Sequence, residues 1–416
     1  MNPRRDYIFN SIAGIINAGE AVVMMMVVTR TAALSDAGYL TIAFAVGNLL
    51  MCIGKWGVYN YLVTDTVGQF GFCTYLHARI ITVLLMLISL AVYLIYGHVV
   101  LGYSTNKMIV IVAITLIYTI ECVEDLFISL CQHIGCFWRG SLMFITRWTG
   151  ILTVFGVIEA LTGNTVTGLL ASLCVSVIIF GVNLAFTSRP MASKRDESIL
   201  APRAEHLSLT GVFSLLKACF PVFMSAFLSF YISNASKYAL ERYFDADILA
   251  CYGFVAMPVF AIGLLSGFVY RPQLVPMSVD YSAGRIGDFK KRIFRQFAVI
   301  SALTLVCVVG ARIIGVPVLS WLYQTDLAEY RTELVILVLA GGFLALSSYQ
   351  SVVLTIIRKQ QFILYGYAIV SILAMSTTWY IVRHYGVSGA AWSYLALMVL
   401  LCTIYMGFLK SCIRGR

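Results

Sequence analysis

The sequence predicts an all-α, polytopic membrane protein with about twelve membrane-crossing helices. Three observations carry that expectation. Of 416 residues, 60% are hydrophobic and 12% are charged, about half the roughly 25% charged share of a soluble domain; mean hydropathy is +0.89. Apolar runs of about 20 residues, the length that crosses a bilayer, recur along the whole chain. Lysine and arginine divide unequally between alternate connections, at about 20 against 6, which is the positive-inside pattern.

The runs fall near Ile8–Val28, Tyr39–Leu62, Ile80–Tyr96, Met108–Leu130, Leu142–Ala160 and Val166–Thr187. A second set follows near Val212–Ser233, Ile248–Tyr270, Phe294–Val316, Leu334–Ile357, Phe362–Val382 and Gly389–Leu409. The basic set of connections includes Arg4, Arg5, Arg79, Arg139, Arg147 and Arg189 in the first half. Together with the even number of runs it puts both termini in the cytoplasm. The formal charge of +10 therefore needs no nucleic-acid partner. Met1–Asn10 is short and basic and Ile8–Val28 is long enough to remain in the membrane, so a cleaved signal is not expected. The 11 cysteines form no CxxC and the five histidines no HxH or HxxxH. They read as buried small hydrophobes and isolated polar groups rather than metal ligands.

Ser188–Thr210, SRPMASKRDESILAPRAEHLSLT, is the longest polar interval. Its prolines and charges read as a cytoplasmic linker, dividing an N-terminal six-helix lobe (1–187) from a C-terminal one (211–416). Short likenesses between the second and eighth runs, and between the sixth and twelfth, suggest a repeat.

Several runs carry polar groups that are costly in hydrocarbon. In the first, Asn17 and Glu20 share a face; Glu20 is either a protonated, hydrogen-bonded group or the charged partner of Lys55. In the second, Asn48, Cys52, Lys55 and Tyr59 fall on one helical face. Lys55 either snorkels to the headgroups or lines a polar path. The fourth places Tyr118, Glu121, Asp125 and Gln132 on one face with Glu124 beside them, a set suited to proton relay or to holding a monovalent cation. The seventh has Ser225, Ser229, Ser233 and Ser236 in a stripe before Lys237, read either as a close helix contact or as a hydrated wall. Pro258 in the eighth removes a backbone donor and predicts a kink. No Walker loop, GxGxxG phosphate loop or nucleophile–base pair is present, so an enzyme is not expected.

The chain resembles the polysaccharide-transporter, O-antigen flippase-like branch of the multidrug/oligosaccharidyl-lipid/polysaccharide (MOP) superfamily. The resemblance lies in TRTAALSDAGYLTIAF (29–44), GVYNYLVTDTVGQFGFCTYLHARIIT (57–82), ECVEDLFISLCQHIGCFWRG (121–140) and NASKYALERYFDADILACYGFVAMPVFAIGLLSGFVYRP (234–272). TAAL at 31–34 departs from the leucine-glycine that the family usually has after the arginine. The resemblance implies a MATE-like fold with two six-helix lobes around a central cavity. It implies transfer of an undecaprenyl-diphosphate-linked oligosaccharide from the inner to the outer leaflet of a bacterial or archaeal cytoplasmic membrane. Lys55, Lys237 and Arg30 are then candidate diphosphate contacts, with Asn48, Tyr59, Ser229 and Ser233 beside them. Glu20, Glu121 and Asp125 suit coupling to Na+ or H+, and Pro258 a hinge. Expected partners are the lipid-linked substrate, membrane lipids and polysaccharide polymerase machinery. A multidrug antiporter of the same fold remains an alternative. A polymerase or ligase would require a large outer loop, and a scaffold without transport leaves the mid-membrane charges unexplained.

Overall fold

The computed structural model describes residues 3–65, 68–193 and 209–414; the centre of the expected linker, 194–208, lies outside the described residues. The first half runs α1 (Pro3–Thr31), α2 (Leu34–Lys55), α3 (Val58–Thr64), α4 (Phe72–Leu101), α5 (Thr105–His133), α6 (Phe137–Thr162) and α7 (Thr165–Ser193). It continues with α8 (Leu209–Tyr243), α9 (Ala246–Ala256), α10 (Pro258–Tyr270), α11 (Leu274–Ser282), α12 (Ile286–Gly310), α13 (Val316–Tyr323), α14 (Arg331–Ile356) and α15 (Gln361–Arg414). No strand occurs among the described residues.

Among the described residues ten helical stretches are long and apolar enough to cross a membrane, and the protein is a multi-pass membrane protein. Two further crossings lie in α5 and in the second part of α15. Helix α5 has 29 residues, ample for a bilayer at about 1.5 Å per residue, but carries Glu121, Glu124 and Asp125. Helix α15 has 54 residues and breaks at Gly386, whose φ of 55° and ψ of −136° are non-helical. A Cβ disfavours that backbone, so glycine is the residue that separates the last two crossings. Twelve crossings result, as the apolar runs predicted.

Two compact units are present, Met1–Phe227 and Leu228–Arg416. The division falls inside α8 because the start of that helix buries its apolar face in the first unit. There Val212, Leu215 and Cys219 share a core with Val58, Leu62, Tyr75, Leu126 and Leu130. Within the first unit, α2 packs on α5, α1 on α6, and α6 on α7. Helix α2 is buried along most of its length, from Ala37 through Val46. Its glycines admit its neighbours: a Cβ on Gly47 would lie 2.9 Å from the Tyr118 ring and one on Gly54 2.6 Å from Cys122 Sγ. In the second unit α14 takes the corresponding central place, against α10, α12 and α15. Gly341 there lets α14 approach the backbone of Val259, at 3.2 Å from a Cβ.

The second run is not one continuous helix. It stops at Lys55, turns through Trp56 (φ 46°) and Gly57 (φ 73°), and resumes as α3. Trp56 stacks on Phe223 with centroids 3.8 Å apart and donates its indole N–H to Leu216 O at 3.1 Å, contacts that hold a non-glycine residue in the left-handed region. The eighth run breaks as well, by another device. At Met257 the helix narrows to i→i−3 bonds, Met257 N–H to Phe254 O and Phe260 N–H to Met257 O. Pro258 follows at the first position of α10, where its missing donor is tolerated. The expected bend site is thus an interruption between two helices.

Candidate functional site

The polar groups of the first unit gather on the helix pair α2–α5 and on α4 and α6 beside it. Lys55 Nζ contacts Glu121 Oε1 at 2.9 Å. The other Glu121 oxygen accepts from Arg147 Nη2 at 3.2 Å and from Trp148 Nε1 at 2.9 Å. Arg147 also reaches Glu124 through Nε at 2.6 Å and Ser176 Oγ through Nη1 at 3.3 Å. Arg79 binds Asp125 at 2.9 Å. Three cations and three carboxylates therefore balance within this network. Arg147 and Glu124 have fully buried side chains, whereas Lys55 keeps 31% of its side chain exposed.

The predicted stripes are both present and face each other. Asn48 donates to Tyr118 OH at 3.5 Å, Lys55 meets Glu121, and Tyr59 OH donates to Gln132. The helix break explains how Tyr59 still reaches α5 and why Arg79 is needed. Ending α2 at Lys55 frees the Gly54 carbonyl, which accepts from Arg79 Nη1 at 2.5 Å and Thr82 Oγ1 at 2.8 Å. One guanidinium thereby closes a helix end and neutralises an acid on α5.

Other expectations are corrected. Of the two readings of Glu20, the structure agrees with the hydrogen-bonded group and not with the partner of Lys55. Glu20 Oε1 accepts from Tyr118 OH at 3.0 Å, and its Oε2 has no hydrogen-bond partner among the described residues. Arg79 and Arg147 are not loop cations; both are buried within α4 and α6 because α5 supplies their acids. The basic bias of the connections survives without them. Arg30 is exposed in the last turn of α1. It precedes the start of α2, while Lys55 ends that 22-residue helix, about 30 Å further on at 1.5 Å per residue. These two cations do not form one site.

The second unit differs. Lys237 on α8 is buried, at 9% exposure, and makes no ion pair among the described residues. The serine stripe before it is occupied: Ser229 hydrogen-bonds Tyr367, Ser233 bonds Tyr394, and Ser236 bonds Tyr252. Ser236 also donates to Ala390 O at 3.0 Å. The serines join α8 to α9 and α15, as close helix contacts do. Sequence reading missed the tyrosines, which lie in apolar runs where an aromatic ring needs no polar explanation. It also missed Trp148 and Ser176.

Outside the crossings, Asp65 organises the connection from α3 to α4. It accepts from Gln69 N–H at 2.8 Å, Phe70 N–H at 3.2 Å and Tyr75 OH at 2.8 Å. Burial acts to raise its pKa, but the Gln69 N–H, the Tyr75 hydroxyl and the Phe70 N–H outweigh it and hold the carboxyl below its ordinary value. No group of three or more metal-ligating side chains is found among the described residues.

No protein-family model matches the sequence, and no curated protein matches it. Solved structures do. An inward-facing multidrug-resistance MATE family transporter of the MOP superfamily superposes with a TM-score of 0.73 at 12% identity, covering 98% of each chain. The lipid II flippase MurJ in an inward closed conformation gives 0.70 at 14% identity, covering 97% of this chain and 87% of that one. The eukaryotic MATE transporter AtDTX14 gives 0.62 at 12% identity, covering 99% of this chain and 98% of that one. The fold is thus MATE-like, and its solved neighbours are transporters and a flippase rather than enzymes.

Proposed function

We propose that the protein is a flippase that moves a polyprenyl-diphosphate-linked oligosaccharide from the inner to the outer leaflet of the cytoplasmic membrane for surface polysaccharide synthesis. The observation that carries this reading is Lys237. An ammonium buried in a membrane-spanning helix without an anion is costly to keep, and an anionic head arriving from outside the chain would relieve that cost. Lys55 is the second candidate, since its side chain is partly exposed and its ammonium could add a contact to an incoming phosphate while it stays on Glu121. The MurJ neighbour, titled a lipid II flippase, accords with a lipid-linked substrate. Both termini are assigned to the cytoplasmic side from the basic connections, and polymerase machinery would consume the product.

Coupling to Na+ or H+ is assigned chiefly to Glu20. Glu121 and Asp125 are neutralised by Arg147, Lys55 and Arg79. Among the described residues Glu20 accepts a hydrogen bond from the Tyr118 hydroxyl alone and makes no ion pair, so its carboxylate remains available to a proton or a small cation. That same unpaired acid favours a second reading, a multidrug antiporter whose cationic drug Glu20 would balance.

Purified protein in liposomes separates the two. The flippase reading expects a diphosphate-linked polyprenyl oligosaccharide to become accessible in the opposite leaflet faster under an imposed Na+ or H+ gradient than without one. Gradient-driven extrusion of a cationic dye, with no movement of the diphosphate lipid, would establish the antiporter instead.

A further inference from the structure

The second unit holds a groove that the transport reading does not use. It lies between the start of α12 and the end of α15 and measures about 430 Å³, within the range of about 300–1,000 Å³ typical of ligand pockets. From α12 it takes Lys290, Ile293, Phe294 and Phe297, at the three- and four-residue steps of one helical face. From α15 it takes Met406, Leu409 and Lys410.

The order of these residues gives the groove a direction. On α12 the lysine comes first and the apolar side chains follow into the helix. On α15 the apolar side chains come first and the lysine lies in the last turns. Both ammonium groups therefore sit at the membrane-surface end, with an apolar trough leading inward from them. Phe294 is 77% exposed, so the trough opens to the surroundings of the unit.

The charge is one-sided. No acid lines the groove. Asp280, on the adjoining α11, is already held by Arg285 at 2.7 Å and Arg292 at 2.6 Å. Neither Lys290 nor Lys410 makes an ion pair among the described residues. A sugar or nucleotide would find no polar partner along the trough, and a cationic drug would meet two like charges at its mouth.

We propose that this groove binds an anionic glycerophospholipid of the adjacent leaflet. Its phosphate sits between Lys290 and Lys410, and an acyl chain lies along Phe294, Phe297 and Met406. Basic pockets between membrane helices recognise anionic head groups in this way, the cations supplying the choice of head group and the apolar floor the residence. The site is separate from Lys237 and Glu20, so its fate does not depend on the transported substrate.

The test uses the full chain in zwitterionic nanodiscs at low salt, with native mass spectrometry to read bound lipid. Phosphatidylglycerol is expected to be retained in preference to phosphatidylcholine. Each of Lys290→Gln and Lys410→Gln should weaken it about fivefold, and the pair about thirtyfold. Lys291→Gln, which does not line the groove, should leave it unchanged. A phosphatidylglycerol bearing a photoreactive acyl chain should label peptides containing 293–297 and 406–409. Equal retention of both lipids, an undiminished preference in the double variant, displacement by inorganic phosphate as effective as by the lipid, or labelling confined to other helices would each overturn the proposal. Thermal unfolding of the double variant close to the parent confirms that the loss is of lipid rather than of fold.

Discussion

Each half packs its neighbours around a central set of buried helices, and the two sets differ in chemistry. In the first, α2 and α5 bring six charges together and compensate them, Lys55, Arg79 and Arg147 against Glu121, Glu124 and Asp125. In the second, α14 carries one buried carboxylate, Glu333, which accepts from the Ser388 hydroxyl, and otherwise neutral groups: Gln350 donates to Cys402 O at 3.1 Å and Tyr349 reaches Met277. There Lys237 on α8 is buried and makes no ion pair among the described residues. A closed network sets geometry and resists change. A lone buried charge gains from the arrival of a counter-charge. In the proposed flippase reading, the first half would supply shape and ion response, and Lys237 in the second would meet an anionic head.

The largest test of that contrast is Arg147→Leu. It strands Glu124 without a cation and leaves Glu121 with Lys55 and Trp148 alone, so stability should fall by about 3–5 kcal/mol. Thermal unfolding in detergent measures the loss. Gln350→Leu, at a similarly central place in the second half, removes one neutral hydrogen bond and should cost only about 1 kcal/mol. Equal losses would erase the distinction between the halves.

Lys55→Ala comes next, at about 1–2 kcal/mol, because Arg147 and Trp148 still hold Glu121. Transport should also drop, and Lys55→Arg should restore part of it, since charge persists while geometry changes. A complementation assay at matched, limiting protein levels reads both effects. Parent-like transport in Lys55→Ala would confine Lys55 to the network.

Asp65→Asn should cost about 1 kcal/mol, with a pH signature. Because the folded carboxyl titrates below its ordinary value, its contribution is full above about pH 3.9 and fades as pH falls through the lower folded value. Stability profiles of parent and variant should therefore converge on acidification; curves that stay parallel to low pH would remove Asp65 from the account. Pro258→Ala should change stability least, since the residue opens α10 where no donor is required. It should instead slow transport by filling in the interruption between α9 and α10, and an unchanged rate would take Pro258 out of the mechanism.

Much of this was legible in the sequence. The stripes Asn48–Lys55 and Tyr118–Glu121–Gln132 follow from helical spacing, and the structure sets them face to face; Tyr59, expected on the first of them, instead joins from α3 across the turn at Trp56 and Gly57. The breaks at Gly386 and Pro258 are marked by residues whose backbone chemistry announces them. Partnership between helices was not legible. Arg147 lies inside the apolar run Leu142–Ala160, and that depth is the signal that separates it from loop cations. Nothing local tells that Glu124 waits for it, or that Arg79 must close the end of α2. The turn at Trp56 was hidden for a related reason: a tryptophan adopts a left-handed backbone only because Phe223 and Leu216, far away in the chain, hold its ring.

In the proposed flippase, Lys237 is kept buried for an anion supplied by the substrate. Transport and thermal stability of Lys237→Met, measured together on the same reconstituted preparation, test it most directly. Removing an unpaired buried ammonium should leave stability equal to or above that of the parent, while movement of the diphosphate-linked lipid falls at least about tenfold, the equivalent of losing one charge-assisted contact of about 1.5–3 kcal/mol. Parent-level transport in a stable Lys237→Met protein would contradict the account.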